Sequence, residues 1–358
     1  MTQLKAYKKP LNKKAPKVKK LFIAGVGAVG NTLLKQISKI QSESSLRVLG
    51  VCNSKHQLWY DHTQRDYSIN ELLRAPQLDW DQIIQKLTTY ERGSVIFVDT
   101  TGSLEVAEKY PLLLKNGVHI VTPSKLANTR EQKYFDKLHY IASENDAKFL
   151  YETNVGAGLP IISTIRNLIQ TGDKIIEVNG VLSGTMTYLF SELDKGKKFS
   201  ESVIQARTLG YAEPDPRDDL SGEDVARKFL ILARICGIQI EREELNVESL
   251  IPEQLQNVDS VTFLEKIHEY DPEWNQRCKS AEQRGNKLRY TGSFSKGSIE
   301  IGIKEVPLGS SLGQLTGTNN LVQIRTKRYN QQPLIIQGPG AGKEVTASGI
   351  IADILSIG

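Results

Sequence analysis

Residues 20–37 read KLFIAGVGAVGNTLLKQI. An unbroken apolar run, Leu21 to Ala24, leads into Gly25-Val26-Gly27-Ala28-Val29-Gly30, and apolar residues then recur at Leu33, Leu34 and Ile37. The first part has the character of a strand buried on both faces, and the last has the spacing of an amphipathic helix. The glycines between them form G-x-G-x-x-G. Gly25 permits a tight turn, Gly27 lets backbone N–H groups approach a pyrophosphate, and Gly30 lets the helix pack on the strand. The helix N-terminus at Ala28 and Val29 adds unsatisfied N–H groups and the positive end of a dipole. A glycine-rich turn without a ligand is the bland alternative. The placement between strand and helix favours a dinucleotide site.

Working outward, strands are expected at Leu46–Cys52, Val95–Val98, Val118–Val121 and Phe149–Tyr151, separated by helical stretches such as 104–115 and 130–144. Strand alternating with helix at this spacing predicts an α/β fold, a doubly wound Rossmann-type parallel sheet over residues 20–155. After Gly156-Ala157-Gly158 the pattern changes. A helix from Pro160, a strand at Ile175–Leu182 and helices near 185–194, 200–209 and 222–236 are followed by β-type runs at Lys287–Phe294, Ile299–Val306, Leu321–Thr326 and Leu334–Gln337. These predict a second, mixed α+β domain over 156–337. A closing segment, 338–358, opens with Gly338-Pro339-Gly340-Ala341-Gly342 and carries a short helix at 346–355. The stretch 252–284 is polar and helix-compatible, and its pattern assigns it nothing more.

The chain has 358 residues, 39% of them hydrophobic and 24% charged, which excludes a disordered or collagen-like protein. A formal charge of +5 invites a nucleic-acid reading. However, Lys5, Lys8, Lys9, Lys13, Lys14, Lys17, Lys19 and Lys20 fall in the first 20 residues with no acid among them, so without them the charge is −3. The basicity belongs to a leader, expected to be solvated and disordered over 1–19, and no nucleic-acid partner is expected for the body. The leader lacks the apolar stretch of a secretory signal, and no segment approaches the roughly 18 apolar residues of a membrane span. Cys52, Cys236 and Cys278 are scattered, without metal-ligand spacing. A soluble, reducing, cytoplasmic setting is expected.

Chemistry is expected at the carboxyl edge of the first sheet. Where an NAD site usually has an acid for the ribose, this chain has Asn53-Ser54-Lys55. Lys55 would neutralise a 2′-phosphate and Ser54 would donate to it, so NADP(H) is favoured with NAD(H) possible. A solvated surface lysine is the alternative. Thr101, Gly102 and Ser103 end the third strand where small hydroxyl residues line a cofactor crevice, and Lys125 follows the fourth in Thr122-Pro123-Ser124-Lys125. The segment 210–228, GYAEPDPRDDLSGEDVARK, concentrates charge. Its prolines predict an extended loop carrying Glu213, Asp215, Asp218 and Asp219. Ser221 then reads as the N-cap of a helix, with Asp224 at its third position as in a capping box. Asp224 and Lys228 are i and i+4, on one face. They are either a helix ion pair or a pair facing a pocket, in which the acid orients the amine for proton transfer.

Taken together, GVGAVG (25–30), TPSK (122–125), ETNVGAGLPI (152–161), NGVLSGT (179–185), LGYAEPDPRDDLSGEDVARK (209–228) and GPGAGKEVTASG (338–349) resemble homoserine dehydrogenases, in the family's order over most of the chain. They are similar in particular to the dehydrogenase half of bifunctional aspartokinase–homoserine dehydrogenases. At this length neither a kinase half nor a regulatory domain is expected. The resemblance implies reversible NAD(P)H-dependent reduction of L-aspartate 4-semialdehyde to L-homoserine, in threonine, methionine and isoleucine biosynthesis. It implies Lys228 as general acid, Asp224 placing substrate or a bridging water, and Lys125 between nicotinamide and substrate. Glu213, Asp219 and Thr185 would meet the polar groups of the amino-acid substrate. Gly210, Glu213 and Gly342 would line the cofactor, which would bring the closing segment back to the first domain. Glu152 and the carbonyls of Val155, Ala157 and Leu159 would hold a monovalent cation, usually sodium. A homodimer through the β-rich part of the second domain is also implied. One departure is Ser124, where the family commonly has Asn, so altered contacts near the nicotinamide are expected. The alternatives are another two-domain NAD(P) oxidoreductase and a non-catalytic dinucleotide-sensing module.

Overall fold

The structure, a computed structural model, describes residues 18–40, 45–61, 67–295 and 297–358. The expected leader lies outside the described residues through residue 17. Lys19 is already the first residue of a strand.

Strands β1 (Lys19–Ala24), β2 (Leu46–Cys52), β3 (Gln57–Trp59), β4 (Val95–Asp99), β5 (His119–Val121) and β6 (Phe149–Leu150) form a six-stranded sheet in the order β3-β2-β1-β4-β5-β6. All neighbours are parallel except β3, which turns back antiparallel to β2 and which the sequence pattern did not reveal. Leu21 to Ala24 are fully buried, as the apolar run requires of a central strand. Strand order reverses between β1 and β4, so a crevice opens at their carboxyl ends.

Successive β1 side chains enter different layers. Phe22 and Ala24 pack with Phe97, Ile83 and Leu113 on one face. Leu21 and Ile23 pack on the other with Leu33, Leu34 and Ile37 of the helix Ala28–Ile40, and with Ala347, Ile350 and Ile354 of the closing helix Lys343–Ser356. The last 16 residues therefore complete a layer of the first sheet. Lys19 Nζ donates to the carbonyls of Ile354 and Leu355, a cation at a helix C-terminus.

The second sheet holds β7 (Ile175–Val181), β8 (Asn246–Val247), β9 (Asn286–Ser295), β10 (Ser298–Pro307), β11 (Asn319–Thr326) and β12 (Leu334–Pro339) in the order β12-β11-β7-β9-β10-β8. It is antiparallel apart from the β8–β10 pair. The helix Glu223–Ile235 packs on it so closely that a Cβ at Gly292 would lie 2.2 Å from the Phe229 ring.

Two local expectations are corrected. Pro216 does not prolong an extended loop. With φ −61° it precedes a single helical turn, Arg217–Leu220, because proline's fixed φ suits a helix start. The N-cap of the next helix is Gly222 in the left-handed region at φ 76°, not Ser221, whose hydroxyl accepts from Glu223 N–H. A Cβ at Gly222 would sit 1.9 Å from the Tyr290 hydroxyl, so packing as well as φ demands glycine there. The unassigned stretch contains helices Ser260–Lys266 and Asp271–Gln283, anchored by Phe263, Ile267 and Trp274. Among the described residues, no helix is long and apolar enough to cross a membrane.

Candidate active site

The glycine turn follows β1 at the sheet's switch point. Gly25 has φ 91°, and a Cβ there would lie 2.9 Å from the Thr100 backbone; one at Gly30 would lie 2.1 Å from the Gly25 carbonyl. Both are fixed by protein packing. A Cβ at Gly27 would meet no protein atom within 4 Å, so protein packing does not require glycine there. Ala28 begins the helix, and its first turn carries no acid, leaving the positive end uncompensated.

Around this turn the carboxyl edge is tightly bonded. Asp99, fully buried at the end of β4, accepts from the Thr101 N–H at 2.7 Å, the Thr101 hydroxyl at 2.6 Å and the Tyr110 hydroxyl at 2.5 Å. Burial pushes its carboxyl above the ordinary value, although these donors oppose the rise. Thr101 Oγ1 also accepts from Ser103 N–H, and Gly102 takes φ 66°. The hydroxyl of Thr101 thus shapes the loop. After β2, Asn53 Oδ1 accepts from the backbone N–H of Lys55 at 2.8 Å and of His56 at 2.7 Å. This Asx turn leaves Ser54 and Lys55 exposed at the same edge.

Between the two sheets lies a cleft of about 510 Å³. Lys125 enters it from the turn after β5, and Asp224 and Lys228 enter from the helix Glu223–Ile235. Lys125 Nζ lies 3.2 Å from Asp224 Oδ1, and Lys228 Nζ lies 2.8 Å from Oδ2. Lys228 also donates to the Leu182 carbonyl at 2.6 Å, which fixes its ammonium. Burial alone would raise the Asp224 carboxyl, but the two ammonium groups outweigh it and hold it well below the usual range. Burial lowers the Lys125 amine below an ordinary lysine, against the pull of Asp224. Asp224 and Lys228 thus form the helix ion pair of one sequence reading and line the pocket of the other.

Glu213, Asp218 and Asp219 line the same cleft. Asp219 Oδ2 accepts the Glu213 N–H at 2.8 Å, and burial raises its carboxyl above the ordinary value. Thr185 Oγ1 lies 2.8 Å from Asp219 Oδ1 and 2.6 Å from the Tyr211 carbonyl, so its hydroxyl holds the loop rather than facing the cleft. Gly210 makes the left-handed turn into this loop at φ 72°, and Gly342 lines the cleft wall with Gly340 and Ala341.

The turn 152–159 borders the cleft through Thr153, Asn154, Gly156 and Ala157. The Glu152 carboxylate, expected among the cation's ligands, instead accepts the N–H groups of Ile162 and Ser163, each at 2.7 Å, capping the helix Ile161–Gln170. Its backbone carbonyl accepts the Val155 N–H at 3.3 Å, and the Leu159 carbonyl accepts the Ile161 N–H at 2.9 Å. Ala157, a non-glycine residue at φ 51°, marks a sharply built turn. Among the described residues, no cluster of three or more His, Cys, Asp or Glu side chains suits a metal. Sequence reasoning missed Asn154 and Arg227 as cleft residues. Asn154 lies inside the ETNVGAGLPI motif, whose resemblance assigns roles to Glu152, Val155, Ala157 and Leu159 but none to it.

Comparison with known proteins adds names to this geometry. A family model for homoserine dehydrogenase matches residues 160–355, and one for the homoserine dehydrogenase NAD binding domain matches residues 25–152. The homoserine dehydrogenase of Emericella nidulans is 35% identical over 94% of this chain and 97% of its own length. The bifunctional aspartokinase/homoserine dehydrogenase of Haemophilus influenzae is 39% identical over 95% of this chain, which spans 43% of that relative. Among solved structures, a Candida auris protein of unknown function aligns with TM-score 0.88 at 35% identity, covering 95% of this chain and 98% of that one. A hyperthermophilic archaeal homoserine dehydrogenase in complex with NADPH aligns with TM-score 0.71 at 24% identity, over 95% and 97%, a likeness of fold.

Proposed function

The chain belongs to the homoserine dehydrogenase family, and from that premise we propose that its cleft interconverts L-aspartate 4-semialdehyde and L-homoserine with a nicotinamide cofactor. The observation that carries this reading is the bridge Lys125–Asp224–Lys228, which joins the cofactor edge of one sheet to a helix packed on the other. When bound, the nicotinamide exchanges a hydride with the substrate's terminal carbon. The chain's residues handle the rest. In the reducing direction Lys228 gives its proton to the oxygen as the carbonyl becomes an alkoxide, and in the oxidising direction it takes the proton back. Asp224 keeps both ammonium groups close to the charge that develops on that oxygen. Lys125 stands between cofactor and substrate. Glu213, supported by Asp219, binds the substrate ammonium, and Thr185 acts through Asp219 rather than directly.

The glycine turn fits a pyrophosphate, because Gly27 is a cradle that a Cβ would fill and the helix behind it carries no acid. Gly25, Gly27, Ala28, Val29 and Gly30 would hold it, with Thr101, Gly102, Ser103, Gly210 and Gly342 around the nucleotide. Ser54 and Lys55 favour NADP(H), with NAD(H) possible. The carbonyls of the 152–159 turn suit a hard monovalent cation such as sodium. Three unpaired cysteines suit a reducing, cytoplasmic setting. A role in threonine, methionine and isoleucine synthesis goes with the reaction.

The second sheet supports a homodimer. Gln323, Asn179 and Ser293 lie side by side across β11, β7 and β9, half-buried on one face, and Asn179 Oδ1 and Thr291 Oγ1 are buried without a partner. Pairing two copies through this face would cover the exposed parts of Gln323, Asn179 and Ser293.

The test is an absorbance assay of L-homoserine oxidation with NADP and NAD in parallel, against L-serine and other small hydroxy compounds. The reading expects turnover that prefers homoserine. Cofactor binding without turnover would leave a sensing module, and equal rates on other alcohols would leave a different dehydrogenase.

A further inference from the structure

Asn154 is 1% exposed, in the turn Glu152–Asn154 that directly follows β6. Its Nδ2 donates to the Thr122 carbonyl at 3.0 Å and to the Ser124 carbonyl at 3.2 Å, the two carbonyls that lead into Lys125. On the far side, the Lys125 carbonyl accepts the N–H groups of Asn128 and Thr129 and the Thr129 hydroxyl, each at 3.0 Å. Asn128, also fully buried, closes the ring by donating its Nδ2 to Asn154 Oδ1 at 2.9 Å. Arg234 then grips the same segment from outside, donating to the Asn128 carbonyl at 2.9 Å and the Arg130 carbonyl at 2.6 Å. Arg234 belongs to the helix that carries Asp224 and Lys228. The Lys125 turn is thus registered against the very helix whose carboxylate its ammonium must reach.

From this geometry we infer that Asn154 is a positioning residue: it fixes the Lys125 turn so that the Lys125 ammonium meets Asp224. The inference rests on the reading of Lys125 as a site residue. A lysine's four-carbon stem is flexible, so the place of its ammonium depends on where the turn sets its Cα. Ser124 does little of this work, since its hydroxyl makes only a 3.5 Å contact with Leu126 N–H. Asn154 instead holds two of the carbonyls that precede Lys125, those of Thr122 and Ser124, from across the sheet edge. Losing its donor would take this partner from the buried Thr122 carbonyl and the half-buried Ser124 carbonyl, and the turn would relax toward solvent to satisfy them.

Two variants of the full chain separate this role from simple support of the fold. Asn154→Asp keeps the shape and the acceptor for Asn128 but loses the donor, and Asn154→Ala removes both. Brief acetylation followed by peptide mass spectrometry reads Lys125 and Lys228 individually, whether or not the enzyme turns over. Each variant that stays folded should change Lys125 labelling about threefold or more while leaving Lys228 within twofold. In turnover, Asn154→Ala should lower kcat/KM about tenfold in the wild-type background and less than twofold in a Lys125→Ala background, since a group acting through Lys125 has nothing left to position. Unchanged Lys125 labelling in both folded variants, or equal losses of turnover in the two backgrounds, would overturn the inference. A wild type that fails to oxidise homoserine removes the proposed reaction, and the labelling then decides the positioning role alone.

Discussion

Lys125 Nζ and Lys228 Nζ share one carboxylate, at 3.2 and 2.8 Å from the two oxygens of Asp224. One lysine rides on the edge of the first sheet and the other on a helix of the second, so the bridge measures the closure of the cleft as well as its charge. Two ammonium groups held by one carboxylate leave this triad net positive, suited to an oxygen that gains negative charge during reduction, while Glu213, Asp218 and Asp219 make the opposite part of the cleft acidic.

Replacing Asp224 with Asn keeps the shape and removes the shared counter-charge. The kcat/KM for homoserine should fall roughly 10²–10³-fold, the scale of losing one preorganised electrostatic group. The stability effect has a definite pH dependence. The folded carboxyl lies well below the ordinary range, so its contribution is fully present above the unfolded pKa of about 4 and is lost as pH falls toward the folded value. Protein surrounds the group on most sides, yet 47% of its side chain faces the open cleft. Screening by cleft water therefore limits the contribution to about 1 kcal/mol. Melting curves of wild type and Asp224→Asn should differ most near neutral pH and converge below about pH 4; a gap that widens on acidification contradicts this.

Lys55 offers a cation at the end of β2, presented by the Asn53 turn. Lys55→Ala should raise KM for NADP about tenfold, the equivalent of roughly 1.4 kcal/mol for one charge-assisted phosphate contact, and leave KM for NAD within about twofold. Added salt should narrow the wild-type preference, because the contact is exposed. Equal effects on both cofactors would take Lys55 out of the 2′-phosphate site.

Glu152 is predicted to matter first as a helix cap. Its carboxylate takes two N–H groups at the start of the helix Ile161–Gln170. Glu152→Gln keeps one acceptor oxygen but turns an NH₂ toward the other donor. A loss of about 1–2 kcal/mol follows, or a fall in Tm of roughly 2–8 °C. If Tm is unchanged while sodium dependence is lost, the carboxylate belongs to the cation instead.

Much of the architecture was written in periodicity. Continuous apolar runs placed β1, β2, β4 and β5 within a residue or so, and helical spacing placed Glu223–Ile235. β3 escaped because a three-residue antiparallel edge beginning with Gln57 has no period to read. The helices within 252–284 were not assigned because few apolar side chains anchor them; one purpose of the stretch is visible only in space, where Arg217 bonds Asp215 and reaches the Val258 carbonyl to brace the acidic loop. The lysine–aspartate bridge was half legible: i and i+4 spacing joined Asp224 to Lys228, whereas Lys125 arrives through the sheet topology. Asn154 was not legible, since a side chain bonding carbonyls of a distant turn leaves no periodic trace.

The most direct measurement of the central claim is NADP-dependent oxidation of L-homoserine by wild type and Lys228→Ala under the same conditions, with thermal melts showing both folded. The account predicts measurable turnover in wild type and a fall in kcat of about 10²–10⁴-fold in the variant, the range of a lost general acid–base group. Unchanged turnover in folded Lys228→Ala would contradict it.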